Sequence, residues 1–87
     1  MADVTLPRHL VALFPGTPRR LDVDAATVRE VVAALDARAP GMADRLLAAG
    51  PVLREHLRVF VDGEVADLAT PVKPASQVQV VMAVSGG

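Results

Sequence analysis

The 87-residue chain has no cysteine, tryptophan or tyrosine, only two phenylalanines and a single lysine, Lys73. Without cysteine there is no disulfide, thiolate zinc site, iron–sulfur cluster or cysteine nucleophile to build. Without tyrosine and tryptophan the usual base-stacking platforms are missing. A formal net charge of -1 leaves no surplus of cations to grip a phosphate backbone. Nucleic acid is therefore not an expected partner. The N-terminus lacks a basic segment followed by an apolar run. The longest uncharged stretch, Pro74 to Gly87, is too short and too polar to span a bilayer. The expectation is a cytoplasmic protein with no membrane partner. What the chain does have is apolar residues, 52% of the total, enough to offset the entropy of ordering one small domain. Such a domain has a radius of gyration of roughly 12 Å, too small to enclose a large buried active site.

Periodicity predicts the elements. Residues 4–14 read as a first strand, interrupted at Pro7, with Val4 and Leu6 inward. Pro15-Gly16-Thr17-Pro18 is a turn cluster, and residues 19–24 alternate as a return strand with Leu21 and Val23 on one face. Thr27-Val28-Arg29-Glu30 matches a capping box, in which the Thr27 hydroxyl takes the Glu30 amide and Glu30 reaches back to the cap amide. Val28, Val31, Val32 and Leu35 form an apolar helical stripe that ends at Pro40-Gly41. Residues 42–49 read as a second short helix with Met42, Leu46 and Leu47 inward. Residues 51–56 read as a loop or helical turn. Leu57 to Val61 is a strand with Leu57, Val59 and Val61 on one face. Asp62-Gly63 is a tight hairpin turn and residues 64–67 the return strand. Residues 77–84 form the last and most apolar strand, expected to be central and parallel to the first. The order predicts an α+β domain, one mixed sheet with one main helix across one face. Residues 1–84 make the domain and residues 85–87 a flexible C-terminal tail.

No catalytic constellation accompanies these elements. His9 and His56 are the only imidazoles and lack companion ligands at metal-binding spacing, so no metal site is expected. Asp22 and Asp24 share a strand face just before a helix N-terminus, where acids suit the dipole. Arg19 and Arg20 point to opposite sides of a strand and form no single patch. Each internal glycine stands alone at a turn, so there is no phosphate-cradling loop. An enzyme with its own active site is not expected.

The C-terminal end is different. Ser85-Gly86-Gly87 directly follows the most apolar strand, so the tail projects from a rigid base. A Gly-Gly peptide is the thinnest possible; it has no Cβ and can thread a narrow channel into another protein, presenting its carboxylate there.

Taken in order, four segments carry a resemblance over essentially the whole chain. They are Val4-Thr5-Leu6-Pro7, Ala26 to Leu35, Val59-Phe60-Val61-Asp62-Gly63-Glu64, and Val78 to Gly87. The chain resembles the ubiquitin-like β-grasp sulfur carriers of prokaryotes. That group includes the small subunit of molybdopterin synthase, the thiamine sulfur carrier and the carrier of the actinobacterial cysteine pathway. The resemblance implies that an E1-like enzyme spends ATP, with Mg²⁺, to adenylate the carboxylate of Gly87. A sulfur donor then displaces AMP to leave a thiocarboxylate, and a sulfur-accepting synthase uses that sulfur. Gly87 is then the reactive site, Gly86 and Ser85 the tail, and no cofactor is bound by this chain itself. The carrier is monomeric alone and forms a hetero-complex with its synthase.

The partner surface is expected on the outer sheet face. If Val78, Val80 and Met82 face the helix, then Phe60, Val81 and Ala83 share the opposite face as an exposed apolar patch. Met82-Ala83 stands where several relatives carry a proline, which counts against a direct assignment to molybdopterin synthase. The stretch 42–56 is longer than in thiamine carriers. The cysteine-pathway type also has an extended central region and ends similarly, so the resemblance leans toward it or a carrier shared among sulfur pathways; the composition fits a high-GC bacterium. The alternatives are a molybdopterin synthase small subunit, a ubiquitin-like modifier that forms isopeptide bonds, or a plain interaction module.

Overall fold

The computed structural model describes residues 1–82. Within them the order is β1 (Ala2–Thr5), α1 (Arg8–Ala12), β2 (Arg20–Val23), α2 (Val28–Arg38), α3 (Met42–Leu46), β3 (Leu47–Ala48), β4 (Val52–Leu53), β5 (Leu57–Val61), β6 (Glu64–Ala66) and β7 (Gln77–Met82). Five strands form one sheet in the order β2-β1-β7-β5-β6. Strand β7 is central and runs parallel to β1, with Val4 beside Val78; the other pairings in this sheet are antiparallel. With α2 packed on one face, this is the mixed sheet that the element order implied and the ubiquitin-like β-grasp architecture that the resemblance implied, with a radius of gyration of 11.8 Å.

The core follows from the two periodicities. Alternation places Val4, Leu21, Val23, Leu57, Val59, Val61, Val78 and Val80 on one face of the sheet, all buried. Against them α2 turns its stripe of Val28, Val31, Val32 and Leu35, also buried. Thr27 caps the helix as its sequence predicts, its Oγ1 accepting from the Glu30 amide at 3.2 Å. The Glu30 carboxylate reaches back to the amide of Ala26 at 3.4 Å, one residue beyond the expected one. The amides of Val28 and Arg29 donate to the carbonyls of Thr70 and Leu68. The loop after β6 thus satisfies the helix donors that have no partner within the helix.

Three readings change. The first strand does not extend to residue 14. It ends at Thr5, and Pro7 caps α1, its carbonyl accepting from the amides of Leu10 and Val11. Proline favours a helix start because it has no amide to leave unpaired there. Leu10 and Phe14 lie four residues apart and both pack on the core, a helical spacing in place of the alternation expected of a strand. The connection to β2 is therefore residues 6–19 and not a four-residue hairpin loop. Second, residues 42–49 are not one helix. Met42 and Leu46 are buried in α3, but the chain then extends, and β3 and β4 pair antiparallel, Leu47 with Leu53, around a turn at Gly50. Part of residues 51–56 is thus strand. Third, β6 stops at Ala66, and Asp67 instead accepts from the Ala69 amide and the Thr70 hydroxyl.

The Asp62-Gly63 turn is as predicted. Both residues have positive φ, 51° and 86°, as the type I′ hairpin turn requires. Asp62 also ties the turn to the start of β7, accepting from the Gln77 amide and from the hydroxyl of buried Ser76, each at 2.9 Å. These donors, with a smaller contribution from Lys73, hold the Asp62 carboxyl below its ordinary 3.8.

Leu35→Ala is expected to destabilise the fold by about 2–5 kcal/mol, whereas exposed Val52→Ala changes it by less than about 0.5 kcal/mol; urea unfolding of both variants checks this. For Asp62 the sign follows from its lowered folded pKa. Its stabilising contribution is fully present above the unfolded value and is lost as pH falls through the lower folded value. Asp62→Asn should therefore be less stable than the native chain at pH 7, and the gap should close below about pH 4. Denaturation midpoints of the two proteins measured across that range test it.

Candidate functional site

The sheet face opposite α2 is uncovered by any described element. Its residues follow from the registers. Across the sheet run Arg20, Thr5, Gln79, Phe60 and Val65, each paired with the next. One step along, Val81 lies opposite Arg58. The face divides in two. On the β1–β2 side it is polar: the Arg20 guanidinium grips Asp3 through Nε and Nη2, the latter at 2.6 Å. That contact holds the Asp3 carboxyl below its ordinary range. Asp22, Gln77 and Gln79 are exposed beside it. On the β5–β6–β7 side the face is apolar. Phe60 is half-buried, Val81 is 43% exposed and Val65 is 69% exposed.

Phe60 and Val81 thus lie together on the face opposite the helix. The third expected member, Ala83, and the tail residues Ser85, Gly86 and Gly87 lie outside the described residues, as does the domain boundary at 84. Val65 was not among the expected residues, although its signal was available. A two-residue turn at 62–63 pairs residue 61 with 64, hence 60 with 65, and places Val65 beside Phe60.

Met82 departs from expectation. It follows the inward alternation of Val78 and Val80, yet it is 38% exposed. Its cross-strand partner is Leu57, the first residue of β5, and at this end of β7 the covering layer changes. The chain opens here on a groove of about 700 Å³ lined by His9, Leu10, Leu13 and Phe14 from the α1 segment, by Gly41, Asp44 and Arg45 around α3, and by Arg54 and Met82. The Arg54 guanidinium donates to the Asp44 carbonyl from Nε at 3.0 Å and Nη2 at 2.6 Å. His56 lines a smaller depression on the far side of Arg45, Arg54 and Met82. Neither histidine has metal-binding company: among the described residues no group of three His, Cys, Asp or Glu side chains is placed to hold an ion. Arg19 turns away from the outer face and donates to the Leu6 carbonyl at 3.2 Å, bracing the chain after β1. Among the described residues no helix is long and apolar enough to cross a membrane.

A ThiS family model matches residues 12–87, from the end of α1 through the final glycine pair. The chain belongs to the ThiS family. This places it among the ubiquitin-like sulfur carriers and modifiers, the group its sequence resembles, whose small proteins are generally not enzymes. Solved structures agree in fold. SAMP1 from Haloferax volcanii is 30% identical, with 99% of this chain and 98% of that one covered at a TM-score of 0.76. CysO in the BexX/CysO complex of Amycolatopsis orientalis matches at 24% identity with full coverage of both chains and a TM-score of 0.88. Mycobacterium tuberculosis CysO matches at 23% identity, 97% of this chain and 100% of that one, with a TM-score of 0.85. No curated protein sequence matches the chain significantly.

Phe60→Asp should leave the far-UV circular dichroism spectrum of this ThiS-family chain intact, because the side chain lies on the uncovered face and not in the core. Unfolding of that variant would mean that Phe60 serves the core and not a surface.

Proposed function

We propose that this chain is a sulfur carrier whose Gly87 carboxylate is activated and converted to a thiocarboxylate by partner enzymes. The observation that supports this reading most is the family match running through Gly87. A carboxylate is a poor electrophile. Attack of its oxygen on the α-phosphorus of ATP, held with Mg²⁺ by an E1-like enzyme, expels pyrophosphate and leaves an acyl adenylate. Hydrosulfide, HS⁻, then attacks the acyl carbon, AMP departs, the S–H proton is lost to solvent, and the carrier ends in C(=O)S⁻. That sulfur is a strong nucleophile and adds to an unsaturated, electrophilic carbon in the active site of a sulfur-accepting synthase, the π bond opening and its electron pair taking up a proton. Hydrolysis of the acyl–sulfur bond leaves sulfur on the product and returns the Gly87 carboxylate.

In this scheme the carrier contributes position, not catalysis. Gly86 and Gly87 lack the Cβ that would block a narrow channel, and Ser85 joins them to the domain. The apolar patch of Phe60, Val65 and Val81, extended by Ala83, is the docking face. The carrier itself binds no cofactor and works as a cytoplasmic monomer between encounters. The synthase is the class of partner with which it forms a hetero-complex, as CysO does with BexX. The products in view are cysteine, thio-sugars or another sulfur metabolite.

One observation favours a second reading. SAMP1, the 30% identical relative, is a small archaeal modifier protein, and a modifier shares the adenylation step but ends in an isopeptide bond. The two readings part at the product. Incubation with ATP, Mg²⁺, the E1-like enzyme and a sulfide source should give an oxygen-to-sulfur mass increase confined to Gly87, and deletion of Gly87 should abolish it. An intact mass that never changes overturns the carrier reading, and a covalent adduct to a target lysine supports the modifier instead. Phe60→Asp should weaken binding to the E1-like enzyme by at least tenfold, about 1.4 kcal/mol, as read by calorimetric titration.

A further inference from the structure

We propose that β2 is a self-pairing edge: two copies of this chain join antiparallel along Arg20–Val23, about a two-fold axis at Leu21, into one continuous sheet. Such pairing lies outside the proposed function and needs none of its chemistry; the carrier is the monomer at concentrations below the dissociation constant of the pair.

The open edge comes first. Strand β2 stands at one end of the sheet, with no described strand beyond it. Which backbone groups it leaves open follows from hydrogen-bond parity. The Leu6 amide donates to the Arg19 carbonyl, whereas the Asp3 amide donates the other way, to Ser76 beside β7. Bonded and non-bonded pairs alternate along an antiparallel ladder. Leu21 and Val23 therefore exchange bonds with Val4 and Ala2 of β1, while the amides and carbonyls of Arg20 and Asp22 point away from it. No described backbone group outside β2 bonds to them. Two such edges, laid antiparallel with Arg20 opposite the second copy's Asp22, exchange four N–H···O bonds.

Charge comes second, and it selects the occupant. On the uncovered face the register sets Asp3 directly opposite Asp22, in the non-hydrogen-bonded kind of pair, where side chains stand closest. Like charges so placed destabilise a sheet. The single ion pair among the described residues joins Arg20 to Asp3, so Asp22 has no cation bound to it there. A second copy supplies one, because the two-fold axis puts its Arg20 opposite Asp22 and its Asp22 opposite Arg20. The Arg20 side chain is open to this, 74% exposed despite its bond to Asp3. The same charges fix the register. An axis at Arg20 sets arginine against arginine, and an axis at Asp22 sets aspartate against aspartate; the axis at Leu21 matches both positions and keeps every side chain on its own face. On the helix side the two Leu21 side chains then meet. Four residues make a short edge, and short edges limit pairing, so the pair is weak and reversible. The Phe60, Val65 and Val81 patch lies on β5, β6 and β7, across β1 from this edge, and stays open in the pair.

The test uses the full-length chain. Sedimentation velocity should show a monomer–dimer equilibrium with a dissociation constant of about 0.1–1 mM, the weak range suited to a small interface. In an equal mixture of ¹³C,¹⁵N-labelled and unlabelled chain, a filtered nuclear Overhauser contact between the Leu21 α-protons of the two copies is expected. The Arg20 and Asp22 amides should exchange more slowly as concentration rises. Arg20→Asp and Asp22→Arg, both at exposed positions, each set like charges across the axis and should weaken the pair by about tenfold or more. Mixed in equal amounts, the two variants face each other with opposite charges at both positions and should pair again. A chain that stays monomeric at about 1 mM, a dimer without the Leu21 contact, or a mixture no stronger than either variant alone overturns the proposal. So does protection of the Arg20 and Asp22 amides by the E1-like enzyme in a chain that does not self-associate; the edge would then belong to that partner.

Discussion

The rest of the molecule depends on the parallel pairing of its first and last described strands. Antiparallel neighbours can be joined by a two-residue turn, but parallel ones need a crossover. Everything between β1 and β7 is in that sense the crossover. Placing α2 on one face satisfies the need and gives its valine and leucine stripe a surface to cover. Val4 and Val78, paired across the junction, are both wholly buried. Strand β7 gains neighbours on both edges, and the chain that continues from it is anchored in the middle of the sheet.

Much of this was legible from the residues. The helix could be read because three independent signals agree on it, namely the Thr27 cap, the spacing of Val28, Val31, Val32 and Leu35, and the stop at Pro40-Gly41. The Asp62-Gly63 turn could be read because few other residues tolerate its dihedrals. The stretch from Pro7 to Phe14 could not. Over so few residues, apolar side chains at 10, 11 and 14 fit a helix, but the preceding Val4 and Leu6 fit a strand, and a window spanning both averages two periods. The stretch 42–53 failed for a related reason. A five-residue helix and two two-residue strands are held by tertiary contacts, not by propensity, and Gly50 and Pro51 mark only that the chain turns.

The candidate site was legible to the same degree. Phe60 and Val81 fall where alternation puts them. Val65 was hidden only by not carrying the register through the turn. The groove at Met82 was beyond reach, because it is assembled from three segments far apart in sequence, around residues 10, 45 and 54, of which the first reads as strand and the last as loop or helical turn. Alternation assigns a side chain to a face, but it does not say whether that face is still roofed at the last residue of a strand.

Under the proposed function, covalent geometry at Met82 also sets a specification for a partner enzyme. Residues of α1, α3 and the β3–β4 hairpin line the surface beside Met82, and a folded helix or hairpin is far wider than a Gly-Gly peptide, so this collar stays outside a channel that admits only two glycines. On the proposed reading, in which the reacting carbonyl is that of Gly87, a partner enzyme would place its reacting atoms no deeper than five extended residues reach, about 17 Å. A deeper active site would select against this carrier whatever the match between the docking faces, so the collar acts as a depth gauge.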